Sequence, residues 1–126
     1  MSISILICDD SNFARKQVLR ALPADLQANV SQAVHGEEAI QMIRENNIEL
    51  LFLDLTMPIM DGYSVLEHLK KTDTNCFVIV VSGDIQPDAV ERVKKLGAIG
   101  FLKKPVNKQE IESLLIEFGL LIRPPL

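Results

Sequence analysis

The residues best equipped for chemistry are few and stand at punctuated positions: Asp9-Asp10, Asp54, Ser82-Gly83-Asp84 and Lys103-Lys104-Pro105. Each group closes a short apolar run. Three carboxylates gathered in one crevice repel each other and require a counter-charge. A hard divalent cation is the natural one, since Mg2+ takes oxygen ligands octahedrally, usually one or two carboxylates with waters and phosphate oxygens. A carboxylate beside such a cation can act as a nucleophile toward phosphorus and form an acyl phosphate. The new oxygens would then call for the Lys104 ammonium and the Ser82 hydroxyl. Singly, each group has an ordinary explanation. Asp9-Asp10-Ser11 suits a helix start, Asp54 and Ser82-Gly83-Asp84 suit turns, and Lys103-Lys104 suits a solvated surface. Only a fold that brings them to one edge makes them a site.

The elements needed to do so are legible. Ile3 to Cys8, Leu50 to Leu53 and Phe77 to Val81 are nearly continuous apolar runs, the pattern of strands buried on both faces. Gly100-Phe101-Leu102 is a shorter run. Ala28 to Val34, interrupted by Ser31 and Gln32, reads as a more exposed edge strand. Helical stripes lie between them: Ala14, Val18, Ala21 and Leu22, ended by Pro23; Ala39, Ile40 and Ile43, after Gly36 and stopped by Asn46-Asn47; and Gly62, Val65, Leu66 and Leu69. A fourth helix starts at Pro87, carries Val90, Val93 and Leu96, and stops at Gly97. The last opens on a capping box, Asn107 to Glu110, carries Ile111, Leu114, Leu115 and Phe118, and stops at Gly119. Five strand–helix units predict an α/β fold, a five-stranded parallel sheet with helices on both faces. Sheets of this kind bind ligands beyond the carboxyl ends of their strands, where the acidic and basic groups fall.

Composition narrows the function further. The chain has 126 residues, 48% of them hydrophobic and 24% charged, which predicts one globular domain with a real core. A net charge of -4, no Trp and one Tyr argue against a generally basic or base-stacking nucleic-acid surface. Two cysteines, Cys8 and Cys76, are too few for a disulfide framework and read as buried reduced thiols. No stretch reaches the roughly 18 continuous apolar residues of a membrane span, and no secretory leader is legible, so a soluble, cytoplasmic chain is expected.

At this point the residues resemble a family. From about Ile5 to Phe118 the chain is similar to the receiver domains of bacterial two-component response regulators. The match rests on Asp9-Asp10-Ser11, on Leu53-Asp54-Leu55-Thr56-Met57-Pro58 followed by Asp61-Gly62, on Ser82-Gly83 and on Lys104-Pro105. The resemblance implies the flavodoxin-like strand order 2-1-3-4-5, for which a chemotaxis receiver is itself a standard example. It also implies roles. Asp54 matches the phosphoacceptor. Asp9 and Asp10 match the acidic pair that holds Mg2+, with Asp54 and the Thr56 backbone carbonyl as further ligands. Lys104 matches the lysine that contacts the phosphoryl group, Ser82 the hydroxyl that moves toward it, and Phe101 the aromatic switch position. The Lys104-Pro105 peptide is expected to be cis. Partners implied are a histidine kinase or phosphotransfer protein as phosphodonor, and a downstream protein on the surface of the fourth helix, fifth strand and fifth helix. A homodimer is a further option. Departures are small: Ser82 stands where Thr is commoner, Phe101 lacks a phenol, and Thr56 and Asp84 occupy positions that reach the attacking water and so bear on phosphoryl lifetime.

The chain is thus expected to modify itself rather than turn over an external substrate. The rival readings are a Mg2+-dependent phosphohydrolase with an aspartyl-phosphate intermediate, and the receiver part of a longer multidomain regulator. The first would want an acid where Thr56 stands. His35 and His68 read as surface histidines, and Lys94-Lys95 as a solvated pair that could join Arg92 and Lys103 in a basic patch. The receiver is expected to span residues 1–119, leaving 120–126 as an apolar, Pro-containing tail. Leu120, Leu121 and Ile122 are expected to bury on the last helix or against another chain, since three exposed large apolar residues are costly.

Overall fold

Alternation of buried strands and amphipathic helices produces the order β1 (Ile5–Cys8), α1 (Asn12–Ala21), β2 (Val30–Ala33), α2 (Gly36–Glu45), β3 (Leu50–Leu53), α3 (Gly62–Lys71), β4 (Phe77–Ser82), α4 (Pro87–Lys95), β5 (Gly100–Lys103) and α5 (Lys108–Glu117). The structure is a computed structural model and describes residues 3–83 and 86–121. All strand pairings are parallel and the order is β2-β1-β3-β4-β5, as the resemblance implies. Every residue of β1 and β3 is buried, whereas three of the four in β2 are partly or fully exposed. The central runs are unbroken because helices cover both sheet faces, and β2 is interrupted because it is an edge.

Strand alternation divides the core in two. Leu6, Leu51, Leu53, Val78 and Val80 face α2, α3 and α4, where Ala39, Ile43, Val65, Leu66, Leu69 and Val93 meet them. Ile5, Ile7, Leu50, Phe52, Ile79 and Val81 face α1 and α5, where Val18, Leu22, Ile111 and Leu115 meet them. Full burial of each large side chain contributes about 1.5–3 kcal/mol, which is what holds the helices against the two faces of the sheet.

Local chemistry fixes the ends. Ser11, Asp61 and Asn107 accept from the backbone N–H of Ala14, Ser64 and Glu110 at 3.1, 2.9 and 2.8 Å, capping α1, α3 and α5. Asn107 Nδ2 donates to Glu110 Oε1 at 2.7 Å, completing the expected capping box. Gly119 stops α5 at φ +73°, a left-handed conformation that glycine adopts without a Cβ penalty.

Several details differ from the sequence reading. The 3-10 turn Ala24–Asn29 occupies the start of the expected second strand, because Leu26 is buried in the α1–α5 layer. Ile3 and Ser4 precede β1 rather than joining it. His35 caps α2: its Nδ1 accepts from Glu38 N–H at 3.2 Å. His68 is half-buried beside Ile40 and Ile43 in a groove between α2 and α3. Cys8 is buried as expected, but Cys76 is only half-buried and lies before β4. Arg92 stacks on the Tyr63 ring at 3.9 Å and pairs with Glu67 at 3.7 Å, which turns it toward α3 and away from a patch with Lys103. Leu120 and Leu121 pack on the α1–α5 layer, and both backbone N–H groups donate to Leu115 O. Ile122 to Leu126 lie outside the described residues, as does Asp84.

Candidate functional site

The C-terminal ends of β1, β3, β4 and β5 carry Asp9, Asp54, Ser82 and Lys104, so a parallel sheet delivers all four to one rim. Asp9, Asp54 and Ser82 are 4%, 6% and 3% exposed, while Asp10 is exposed. One carboxylate oxygen from each of Asp9, Asp10 and Asp54 lies within 4.8 Å of the other two. Lys104 reaches across from β5 and bridges both buried acids, at 2.8 Å to Asp9 Oδ2 and 3.1 Å to Asp54 Oδ1. Its backbone N–H donates to Ser82 O at 2.9 Å, and the Lys104-Pro105 peptide is cis.

Asp9 is held at every polar atom. Its N–H donates to Ala33 O at 3.1 Å, Oδ1 accepts from Ser11 N–H at 2.9 Å, Oδ2 takes Lys104, and its carbonyl accepts from Arg15 Nη1 at 2.7 Å. Asp54 N–H donates to Cys8 O at 3.0 Å, which locks the end of β3 to the end of β1. The loop after Asp54 is closed from the other side by Gly62, whose N–H donates to Leu55 O at 3.0 Å. A Cβ there would meet the Asp54 carbonyl oxygen and lie 2.8 Å from Leu55 Cα, so only glycine lets α3 start this close to the acid.

Charge in this rim is under tension. Burial, and then the neighbouring charge of Asp9, push the Asp54 carboxyl above its ordinary range, and Lys104 offsets only part of this. Burial pulls the Lys104 ammonium down, but its hydrogen bond to Asp9 and the charges of Asp54 and Asp9 more than compensate, leaving it above its ordinary value. The Cys8 thiol is pushed up to about 12, first by burial and then by Asp9 and Asp54. It is therefore an inert core thiol, 3.5 Å from Met57 Sδ.

The other candidates are placed as follows. Thr56 is exposed on the β3–α3 loop. Phe101 is half-buried on β5, packed against the layer of α2, α3 and α4 and bordering a shallow hollow with Asn107, Glu110 and Leu114. Sequence reasoning missed Arg15. Its only signal was a basic residue on the first helix six positions after Asp9, and its reach to the strand end is visible only in three dimensions.

A doubly wound parallel sheet with buried acids, a bridging lysine and a hydroxyl at its carboxyl rim defines a class of signalling domain. The chain belongs to the response regulator receiver domain family, whose profile matches residues 5–116. It is 31% identical over 111 residues to the chemotaxis protein CheY of Bacillus subtilis, covering 88% of this chain and 92% of that one. It is 33% identical over 120 residues to a protein-glutamate methylesterase/protein-glutamine glutaminase of Nitratidesulfovibrio vulgaris. That match covers 94% of this chain but 33% of the larger protein, so the chain spans about a third of its length. Among solved structures, a chain of the CheX–CheY–BeF3–Mg2+ complex from Borrelia burgdorferi aligns with TM-score 0.80 at 29% identity, covering 94% of this chain and 90% of that one. The receiver domain of Francisella response regulator 1452 aligns with TM-score 0.79 at 26% identity, covering 93% and 97%. Strand order, fold and family thus agree with the sequence reading. No helix among the described residues is long and apolar enough to cross a membrane.

Proposed function

We propose that the chain is a phosphorylation-driven switch in which Asp54 accepts a phosphoryl group. The observation that carries this reading is Lys104 bridging Asp9 and Asp54 at the rim where Ser82 ends β4. The donor set fits a hard divalent cation: three carboxylates with converging oxygens, two of them buried. Asp9, Asp10, Asp54 and the Thr56 backbone carbonyl would hold Mg2+, which when bound neutralises charge on the incoming phosphoryl group.

The remaining work falls to the chain itself. An Asp54 oxygen attacks phosphorus and forms the new O–P bond. The bond from phosphorus to the donor's histidine nitrogen, or to the oxygen of a small acyl phosphate, breaks, and the electron pair leaves with the donor. The Asp54 backbone N–H, fixed to Cys8 O, keeps the nucleophile pointed at the rim. Lys104 leaves the ion pair to meet the new phosphoryl oxygens, and the Ser82 hydroxyl donates to one of them. Phe101, half-buried on the neighbouring strand, turns inward into the space so vacated. The change in charge is thereby read as a change in the surface of α4, β5 and α5.

The phosphodonor is a histidine kinase or phosphotransfer protein, and the output partner docks on that α4–β5–α5 surface in the cytoplasm, with no direct nucleic-acid contact. The chain modifies itself and has no external substrate of its own. Incubation with acetyl phosphate and Mg2+ followed by intact mass measurement tests this. One added phosphoryl, absent from Asp54→Asn, is expected. An unchanged mass, or steady consumption of acetyl phosphate without any accumulation, overturns it, the second outcome in favour of a phosphohydrolase.

A further inference from the structure

Arg15 has no part in the roles just assigned, yet its guanidinium meets three acceptors, on the β1–α1 loop, on β2 and at the start of its own helix. Nη1 donates to the Asp9 carbonyl at 2.7 Å, Nε to Gln32 Oε1 on β2 at 2.8 Å, and Nη2 to Asn12 Oδ1 at the start of α1 at 3.2 Å. The Asp9 carbonyl belongs to the peptide that leads into Asp10. Of Asp9's four polar atoms it is the one that no backbone group and no other residue of the rim holds. Asp10 itself is exposed. The direction in which Asp10 leaves the sheet therefore depends on that peptide, and that peptide is oriented by Arg15.

We propose that Arg15 is a positioning residue for the cation site. It fixes the Asp9–Asp10 peptide so that a buried and an exposed carboxylate converge on one ion. The inference rests on the reading of the rim as a Mg2+ site and goes beyond it by assigning a residue that touches neither the ion nor the phosphoryl group. Partners that orient metal ligands change affinity by about 10–100-fold when removed. A planar fork suits this task better than an ammonium because it holds three acceptors in fixed directions at once.

The sign of the effect separates positioning from plain electrostatics. Arg15 is a cation near an acidic site, so if it acted only through its charge, removing it would tighten Mg2+ binding. If it positions the peptide, removing it weakens binding although a competing positive charge has gone. Arg15→Lys keeps the charge and loses the fork, so charge alone predicts no change where positioning predicts a partial loss.

The test is calorimetric titration of Mg2+ into the full chain, with Arg15→Met, Arg15→Lys and Gln32→Leu beside it. Thermal melts in EDTA report folding separately. Gln32 is exposed, so its variant stays folded even if Arg15→Met does not. Expected are a Kd about 10-fold weaker or more for Arg15→Met, an intermediate value for Arg15→Lys and a smaller loss for Gln32→Leu. The Mg2+ concentration that half-saturates phosphorylation by acetyl phosphate should rise by the same factor, with the rate at saturating Mg2+ within about two-fold of the parent. Tighter binding in Arg15→Met, or equal binding in all four proteins, overturns the inference and leaves the proposed function standing. A parent chain that takes up neither Mg2+ nor phosphoryl overturns both.

Discussion

At the N-terminal end of the sheet, Ser4, Asn47 and Glu49 form a polar cluster in water. Ser4 N–H donates to Glu49 Oε1, the Ser4 hydroxyl donates to the Asn47 carbonyl, and Glu49 N–H donates back to the Ser4 hydroxyl. At the C-terminal end, Asp9, Asp54, Ser82 and Lys104 are also tied to one another, but the two acids and the serine are buried. Both clusters tie strands together at one end of the sheet, the first at the starts of β1 and β3 and the second at the ends of β1, β3 and β5. The first does so with exposed groups whose alternative partner is water, so it adds little and costs little. The second keeps charges out of water and raises the Asp54 pKa to do so. A fold that only needed closing would use the first arrangement twice. The difference marks the carboxyl end as the place where stability is given up to keep charged groups buried, the kind of local cost that is common at functional sites.

Removing the bridging cation should expose that difference most. Lys104→Met keeps the stem and deletes the ammonium, leaving Asp9 and Asp54 buried without their common partner. Its cost should be about 2–3 kcal/mol at neutral pH in EDTA, measured from urea midpoints, below the range for a fully buried pair because Lys104 is partly exposed. Added Mg2+ should restore part of it, since the cation binds only the folded state. A cost no greater than that of deleting an exposed lysine would erase the contrast between the two ends.

Asp54→Asn should act in the opposite direction. Because the folded pKa lies above the ordinary 3.8, the native state binds the proton more tightly than the unfolded chain does. The carboxyl's contribution is complete below 3.8 and is lost as pH rises through the folded pKa. The neutral amide avoids this loss, so the variant should be more stable than the parent at pH 7 by about 1 kcal/mol in EDTA. The gap should close as pH falls into the acid range. A gap that is constant with pH would locate the gain outside the Asp54 charge.

How much of this was legible beforehand follows from the same physics. The central strands were, because burial on both faces forbids polar residues and leaves runs such as Leu50 to Leu53. Asp9, Asp54, Ser82 and Lys104 were, because each is the first polar group after such a run or lies beside it. Ser11 and Asn107, which have an established capping preference, mark their helices, whereas Asp61 is legible only as part of the Asp61-Gly62 motif and His35 gives no signal, since imidazole capping has no comparable preference. The Ala24–Asn29 turn was hidden because Leu26 is buried by a loop and not by a periodic element. Which charges pair was not legible at all. That Lys104 meets Asp9 as well as Asp54, and that Arg15 reaches back to the Asp9 carbonyl, depends on distances between strands and helices far apart in sequence or turned by the fold.

At the N-terminal end, Ser4→Ala removes the hydroxyl at the centre of the exposed cluster. The expected loss is about 0.5–1 kcal/mol, the net value of exposed hydrogen bonds, and it should be the same with Mg2+ or EDTA. Urea unfolding under both conditions checks this. A Mg2+-dependent effect would mean that the two ends are coupled through the strands.

The smallest effect is expected on the rim itself, at a residue that carries backbone strain without charge. Ile59 follows Pro58 on the β3–α3 loop at φ +70°, and Met60 N–H donates to Pro58 O at 2.7 Å, the geometry of a γ-turn. A β-branched residue is disfavoured there, and the side chain is 71% exposed, so burial does not repay the conformation. Left-handed backbone costs an L-residue about 1–2 kcal/mol, whereas glycine adopts it freely but loses about 0.5–1 kcal/mol more chain entropy on folding. Ile59→Gly should therefore stabilise the chain by about 0.5 kcal/mol, with no change in Mg2+ affinity because no carboxylate moves. Parallel melts and Mg2+ titrations decide it. A destabilised variant would show that the Ile59 side chain is held by contacts that its exposure conceals. A weakened Mg2+ affinity would show instead that the strained turn sets the position of the loop carrying Asp54 and Thr56, and that strain at this end serves the site along with buried charge.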